Sequence, residues 1–459
     1  MAEDNAAVRT ARARTHPPGL YYLAFTEMWE RFSYYGMTAL LSLYMVEQLL
    51  TPGHVEHVLG LAGLRHLLEG NGPMSDQAFA SLIYGWYGGL VYFTPLLGGL
   101  LADRLLGTRA TVVLGALLMS AGHIAMAFDA SFLIALLLLI LGSGCLKGNI
   151  SAQVGQLYPE ASESVRTQAY AIFSAGINVG AVAGPLVCGG VAAAWGWHAG
   201  FGVAGVLMIV ALLVYLAGQR HLPGGGGRKK ERVEYPPLTP AERRRVRLLL
   251  VIIAINILCA VSYQMIWNIG VLWVDQYANR ATALGEIPAT WFNSIDSFFS
   301  IIAVPPLVML WRWQAKRGRE PGDVAKIGIG MALTGASALF MVGGSLIAGT
   351  NGHASVWWPF ACWAGMGIAF LYYWPVTLAL ISRAAPAKVN ATMMSAVFLA
   401  LFAGSVLMGW IGSYYLLLHP ALFWAIDAAI GVAGGLLIFL LHRPLARGLA
   451  MDDTFEAKP

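Results

Sequence analysis

"LPGGGGRKKERVEYPPLTPAERRRVR", Leu222 to Arg247, divides a chain of 459 residues that is 58 % hydrophobic and only 12 % charged. Soluble domains carry about 25 % charged residues, so the bulk of this chain belongs in lipid. On each side of the break, apolar runs recur that are long enough to cross about 30 Å of hydrocarbon as helices. Six are predicted before it, at about 20–49, 79–103, 109–128, 131–157, 167–194 and 200–218. Six more follow, at about 247–278, 290–312, 325–347, 355–382, 391–417 and 420–441. Without water to satisfy loose backbone, only helices and closed barrels span a bilayer, and these runs lack barrel alternation. The expectation is an all-α integral membrane protein of twelve transmembrane helices in two six-helix bundles, the architecture in which a central cavity opens to either side in turn. The parts are an arm (1–19), a first bundle (20–219), a linker (220–246), a second bundle (247–442) and a tail (443–459). The linker reads as flexible in its glycines and helical again at "LTPAERRRV".

Charge sets the orientation. "GRKKER" and "ERRRVR" of the linker, with Arg9, Arg12 and Arg14 of the arm, oppose only Arg65 and Arg280 on the other side. Both termini and the linker are therefore expected in the cytoplasm, in a cell (inner) membrane. The net charge of +5 follows from this topology and calls for no nucleic acid. Cys145, Cys188, Cys259 and Cys362 all fall within spans, which argues against a disulfide framework. Residues 1–19 contain no apolar core, so no cleavable signal is expected there.

The first span carries "EMWERFSYYGM", Glu27 to Met37. Ionisable groups at a bilayer centre cost roughly 2.5–3.5 kcal/mol each before a partner is found. Glu27 lies three residues from Glu30 and four from Arg31, so all three share one helix face. At 1.5 Å per residue they sit roughly 10–15 Å into the helix, too deep for an interfacial salt bridge. Helix 4 supplies a fourth charge, Lys147 in "GSGCLKGNIS". Two carboxylates, a guanidinium and an ammonium sum to zero, and one added proton makes the set positive. Held between desolvation and nearby cations, such a carboxyl is suited to loading and releasing protons.

The motifs are shared with a known family. "GGLLADRLLGTRAT", Gly98 to Thr111, resembles the loop 2–3 signature of the major facilitator superfamily, which implies an inner-side gating role for Asp103, Arg104 and Arg109. "EMWERFSYYGM" resembles the ExxERFxYYGM signature of the proton-dependent oligopeptide transporters. The likeness continues through "LVYFTPLLGGLLADRLLG", "GSGCLKGNIS", "FSAGINVGAVAGP", "GWHAGF" and "IPATWFNSIDSFFSIIAVPPL", covering nearly the whole chain. It implies the major facilitator fold, proton coupling by Glu27, Glu30, Arg31 and Lys147, and substrate contacts by Tyr34, Tyr35, Tyr92, Lys147 and Asn178.

Four departures stand against the family pattern. Thr38 replaces an arginine after "YYGM", and Gln264 in "YQMIWN" replaces a glutamate of helix 7, with Asn268 still in register. That lost pair is a salt bridge between the halves; losing both charges together is close to neutral, and Thr38 with Gln264 reads as a hydrogen-bonded substitute gate. In helix 10, "FLYYWPVTLA" puts Phe370 where the family has the glutamate that receives the peptide amino group, and Trp374 where it has serine. An aromatic face offers a cation–π contact instead. In helix 8, Asp296 of "FNSIDS" stands at a family asparagine, either pairing with a substrate ammonium or titrating. The linker at 220–246 is also too short for the two extra helices, roughly 20 residues each, that bacterial members commonly insert.

Tyr34, Tyr35, Tyr92, Trp267, Asn268, Phe370, Tyr372, Tyr373 and Trp374 make an aromatic, mildly polar wall suited to short peptides, with Lys147 for a carboxylate and Gln264 and Asp296 for polar contacts. The expected function is proton-coupled symport of di- or tripeptides or peptide-like solutes; the alternative is another small solute, an organic anion, blocked peptide or drug-like compound. The partners are then the solute, protons and the lipid bilayer, with the oligomeric state open. No nucleophile–base pair, metal-spaced His/Cys cluster or phosphate loop is present, so neither an enzyme nor a cofactor is expected. His123 and Asp427 are further intramembrane polar groups for which local structural partners are expected.

Overall fold

The first span is one helix, α1 (Pro18–Tyr44), ending in a π turn at Met45–Leu49. In this computed structural model residues 16–70, 72–158, 163–223, 236–283 and 285–449 are described. The basic arm with Arg9, Arg12 and Arg14, the linker's "GGGGRKKERVEY" and the last ten residues lie outside them. A short α2 (Leu61–Leu68) precedes α3 (Asp76–Leu101), a π turn (Ala102–Leu106) and α4 (Gly107–Ala125). Then come α5 (Phe132–Gln156), α6 (Glu163–Trp195) and α7 (Trp197–Gly218). After the linker, α8 (Pro240–Met265) passes through a π turn (Ile266–Gly270) into α9 (Val271–Tyr277). The rest is α10 (Asn293–Ile302), α11 (Val304–Ala315), α12 (Asp323–Asn351), α13 (Trp357–Ala384), α14 (Asn390–Gly412), α15 (Pro420–Leu440) and α16 (His442–Leu449). The strands are two-residue pairs in loops, Ala278–Asn279 parallel to Ala354–Ser355 and Ala281–Thr282 antiparallel to Gly285–Glu286.

Among the described residues, ten stretches are long and apolar enough to cross a membrane. The longest, Asp76–Ala125, is two helices, because Gly107 at φ 74° takes a conformation that L side chains rarely adopt and turns the chain there. The 27-residue α1 is a further helix of spanning length, with its charge trio inside. Large side chains face outward, Leu417 at 76 % and Leu440 at 77 % exposure, as lipid contact requires and water would penalise.

Local chemistry explains the boundaries. Thr239 caps α8: its hydroxyl accepts from Glu242 N at 3.2 Å while the Glu242 carboxylate accepts from Thr239 N at 2.8 Å. The linker's last residues, expected to be helical at "LTPAERRRV", are so, and α8 begins well before position 247. The span expected at 290–312 lies within the apolar stretch Ala289–Ala315, which is built of two helices, since Pro305 and Pro306 bring no N–H to continue α10 and open α11 instead. α2 was not foreseen. Its Arg65 donates to Glu69 at 2.8 Å and to Asp76 at 2.7 Å. The hydrogen bond from Arg65 holds the Glu69 carboxyl below its usual range, and the same bond raises Arg65.

Two compact units result. Unit one takes α1 as far as Met37 and the described residues from Thr94 to 223; unit two takes Thr38 to Phe93 and the residues after the linker. The divisions fall inside α1 and α3. In unit one, Gly176, Gly180 and Gly184 form a stripe on α6 that lets α1 approach closely: a Cβ on Gly180 would stand 2.8 Å from Phe32 N and 2.9 Å from Arg31 Cβ. In unit two, α8, α12, α13, α14, α15 and α16 share a core around Ile252, Ile327, Met331, Ile381 and Ile438.

Candidate functional site

The glycine stripe of α6 backs the turn of α1 that carries Glu27, Glu30 and Arg31, and all three side chains are buried, Glu30 completely. Arg31 Nε lies 3.2 Å from Glu27 Oε1 and is also in ion-pair contact with Glu30. Good hydrogen-bond geometry is nonetheless incomplete: Glu27 Oε2 and both Glu30 oxygens have no hydrogen bond among the described residues. Two carboxylates therefore share one guanidinium and keep unused acceptor capacity, the condition for taking up a proton or a donor.

Lys147 on α5 reaches the same place. Its Nζ lies 4.2 Å from the centre of the Tyr34 ring, and the Arg31 guanidinium is 5.4 Å from that centre. Tyr34 thus stands between two cations, with Tyr35 edge-on at 5.2 Å. Lys147 also interacts electrostatically with Glu27, Glu30 and Arg31. Two close approaches bring α5 there. A Cβ on Gly98 would stand 2.9 Å from Cys145 Cα, and Thr94 donates to Ile140 O at 2.9 Å. The four charges predicted to act together are therefore gathered within unit one. Asn178, half-buried on α6, belongs to the same unit, whereas Tyr92 falls in unit two.

At the end of α3, Asp103 and Arg104 are exposed on the π turn. Arg109 donates to the carbonyl of Leu222, beyond the end of α7, which fastens the chain where it enters the linker.

In unit two, Gln264 has a partner on α14. Gln264 Oε1 accepts from Ser405 of α14 at 2.5 Å, and its Nε2 is buried without a hydrogen bond among the described residues. Asn268, expected to touch substrate, is fully buried and used internally. Ser42 donates to its Oδ1 at 3.0 Å, and its Nδ2 donates to Ser81 at 2.8 Å and faces Met408 Sδ at 3.3 Å. Ser81 in turn donates to Gly409 O at 2.9 Å, and Gln77 donates to Gly412 O at 3.0 Å. This clamp joins the end of α1 and the start of α3 to α14 and to the π turn after α8. It is the physical reason the compact units divide inside α1 and α3.

Asp296, on α10, is 1 % exposed and accepts from Tyr263 OH at 2.8 Å. Tyr263 stacks on Phe370 at 5.7 Å, and Phe370 on Trp374 at 6.5 Å. Asp427 accepts from Ser262 at 3.0 Å, the local partner expected of it. His123 is buried, with no hydrogen bond at either ring nitrogen among the described residues. Ser42, Ser81, Ser405 and Tyr263 were missed by sequence reading. Their only signal was a small polar or phenolic side chain in an apolar run, and such residues are common in membrane helices.

Ten apolar stretches of spanning length among the described residues, with charge buried on α1 and α5, describe an integral membrane protein of the major facilitator fold. A family model described as the POT family matches residues 109–234 and 228–416. A di-/tripeptide transporter of Lactococcus lactis subsp. cremoris is 31 % identical, the match covering 94 % of this chain and 96 % of that protein. Among solved structures, the peptide transporter POT in complex with sulfate superimposes with a TM-score of 0.82 at 26 % identity, covering 95 % of this chain and 96 % of that one. A mutant peptide transporter POT in complex with alafosfalin gives 0.81 at 27 %, covering 94 % and 96 %. The chain belongs to the POT family.

Proposed function

We propose that the protein carries di- and tripeptides or peptide-like solutes across the cell membrane together with protons, by alternating access. Twelve spans would form two bundles, 20–219 and 247–442, with the arm, the 220–246 linker and the tail in the cytoplasm. The observation that carries the reading is the buried set of Glu27, Glu30, Arg31 and Lys147 around Tyr34. Buried charge of this cost has no packing value, because apolar residues of the same volume would be as stable or more so. In the reading, one of the two carboxyls takes the proton, and Arg31 and Lys147 hold the other and the solute carboxylate. Tyr34, Tyr35, Asn178, Tyr92, Gln264, Phe370 and Trp374 contribute contacts, and Asp103, Arg104 and Arg109 gate the inner side. The relatives' names, di-/tripeptide transporter and peptide transporter, and the alafosfalin complex support the substrate class.

A second reading is favoured by one observation: the half-buried rings of Phe370 and Trp374 stack on each other in a turn of α13 that carries no carboxylate. A blocked or non-peptide small solute would then be preferred on the same proton machinery. Proteoliposomes with an imposed inward proton gradient separate the two. Accumulation of alanyl-alanine over N-acetylated dipeptides and unrelated anions supports the first reading; the reverse order supports the second. Failure of all three to accumulate overturns both.

A further inference from the structure

We propose that unit two holds an anionic phospholipid in a groove between α12 and the junction of α15 with α16, with the lipid phosphate on Arg443. The groove measures about 530 Å³ and is lined by Ala325, Phe439, Leu440, His442 and Arg443. That volume is in the usual range for a small-molecule site, roughly 300–1,000 Å³. The solute that the protein carries plays no part in it.

Its polarity runs in one direction. On the last turns of α15, Leu436, Leu437, Phe439 and Leu440 are all exposed, a face suited to acyl chains and costly in water. The Phe439 ring lies against Gly328 of α12, where a Cβ would stand 3.2 Å from its Cε1. Ala325, one turn earlier on α12, gives the wall no more than a methyl group. Basic side chains then follow the apolar face directly, His442 and Arg443 of α16. A phospholipid has the same order, acyl chains and then a phosphate. α16 is fixed in place: Leu445 and Leu449 sit in the core of unit two and Gly448 packs on Leu248 of α8, which leaves Arg443 and Arg447 exposed.

Lys and Arg gather at one surface of any membrane protein, so their presence alone identifies no ligand. What distinguishes Arg443 is its surroundings. No acid lines the groove, and Arg443 has neither an ion pair nor a hydrogen bond among the described residues. The flanking cations of α12 and α13 are both neutralised, Lys326 by Glu320 at 2.6 Å and Arg383 by Asp323. The adjoining groove of about 300 Å³, which shares His442, has that Asp323–Arg383 pair in its wall, so its arginine is already spent. A guanidinium holds a phosphate through two parallel N–H donors, and Arg443 brings a full fork to the end of an apolar channel. Basic pockets between membrane helices hold anionic headgroups by this chemistry.

The test is native mass spectrometry of the full chain, delipidated in a neutral detergent and titrated with dioleoyl phosphatidylglycerol or dioleoyl phosphatidylcholine, which share their acyl chains. Wild type should bind phosphatidylglycerol about fivefold more tightly, the scale of one arginine at an anionic surface. Arg443→Gln should remove most of that preference and leave phosphatidylcholine binding within about twofold, the retained binding showing that the protein folds. Ala325→Leu, which fills the groove at unchanged charge, should weaken phosphatidylglycerol likewise. Arg447→Gln, one turn away and outside the groove, should keep the preference. Equal binding of the two lipids by wild type overturns the proposal, as does an undiminished preference in Arg443→Gln or Ala325→Leu. Equal loss in Arg443→Gln and Arg447→Gln would show diffuse surface attraction and overturn it too. Glycerol 1-phosphate binding as tightly as phosphatidylglycerol would show a site for free phosphate and overturn the lipid as its occupant.

Discussion

Replacing Glu27 by glutamine removes one charge from a set that sums to zero and leaves Glu30, Arg31 and Lys147 at a net +1. Arg31 Nε and Glu27 Oε1 are 3.2 Å apart with both side chains under a tenth exposed, and two unit charges at that distance attract by about 5 kcal/mol at an effective dielectric of 20. Desolvation opposes that attraction, and breaking one partner of a buried pair typically costs about 3–5 kcal/mol. Glu30 remains to hold Arg31, so the expected loss is about 3 kcal/mol, at the lower end of that range. Charge balance makes a sharper statement. Lys147→Gln in the Glu27→Gln background returns the set to zero, so the double variant should recover at least about 1 kcal/mol over additivity. The assay is denaturation in mixed detergent micelles for the two single variants and the pair, with uptake measured in parallel. Uphill accumulation should vanish in Glu27→Gln while downhill exchange survives. Additive stabilities, to within about 0.5 kcal/mol, would refute the shared charge set. Accumulation that persists in Glu27→Gln and in Glu30→Gln would refute the coupling assigned to them.

Gly180→Ala should separate α6 from α1, since its Cβ would meet the Phe32 backbone at 2.8 Å. The cost is about 1–3 kcal/mol, read as a lower melting temperature together with reduced proton-driven uptake; wild-type values for both would mean that α6 does not press on the charged turn. Asn268→Ala strips the clamp formed with Ser42, Ser81 and Met408. Membrane hydrogen bonds average about 0.6 kcal/mol each, so the expected loss is about 1–2 kcal/mol, read as a lower melting temperature in detergent. A wild-type melting temperature would remove the clamp role. At α2, outside the membrane, the sign follows from the lowered Glu69: its bond to Arg65 stabilises the loop above the carboxyl's ordinary value of 4.5 and is lost as pH falls through the lowered one. Protection factors over residues 61–69, with the intrinsic pH dependence of amide exchange divided out, should therefore be lower at pH 3 than at pH 7, Arg65 staying charged throughout; equal protection factors at both pH values would contradict it.

Hydropathy alone identified an all-α membrane protein, because crossing a bilayer requires a run of apolar residues that is written contiguously along the chain. The runs expected at 167–194, 200–218 and 355–382 lie within a few residues of α6 (Glu163–Trp195), α7 (Trp197–Gly218) and α13 (Trp357–Ala384). The charge trio was equally legible, since three ionisable residues on one helical face in an apolar segment need no partner to be conspicuous. Two boundaries were set by backbone chemistry that apolarity does not report, the prolines opening α11 and the Thr239 cap opening α8.

What each buried polar group does was decided only by tertiary structure. Asn268 finds Ser42 across 226 positions, and Asp296 finds Tyr263 on another helix 33 positions away. Composition marks these residues as needing partners. It cannot say whether the partner is another side chain, as for Asn268, or leaves capacity for a solute or a proton, as at Glu27 and Glu30. That difference arises when helices distant in sequence pack at one depth, through close approaches such as Gly180 on α1 and Gly367 on α10. A glycine's value there lies in the neighbouring helix, which no local stretch of sequence contains.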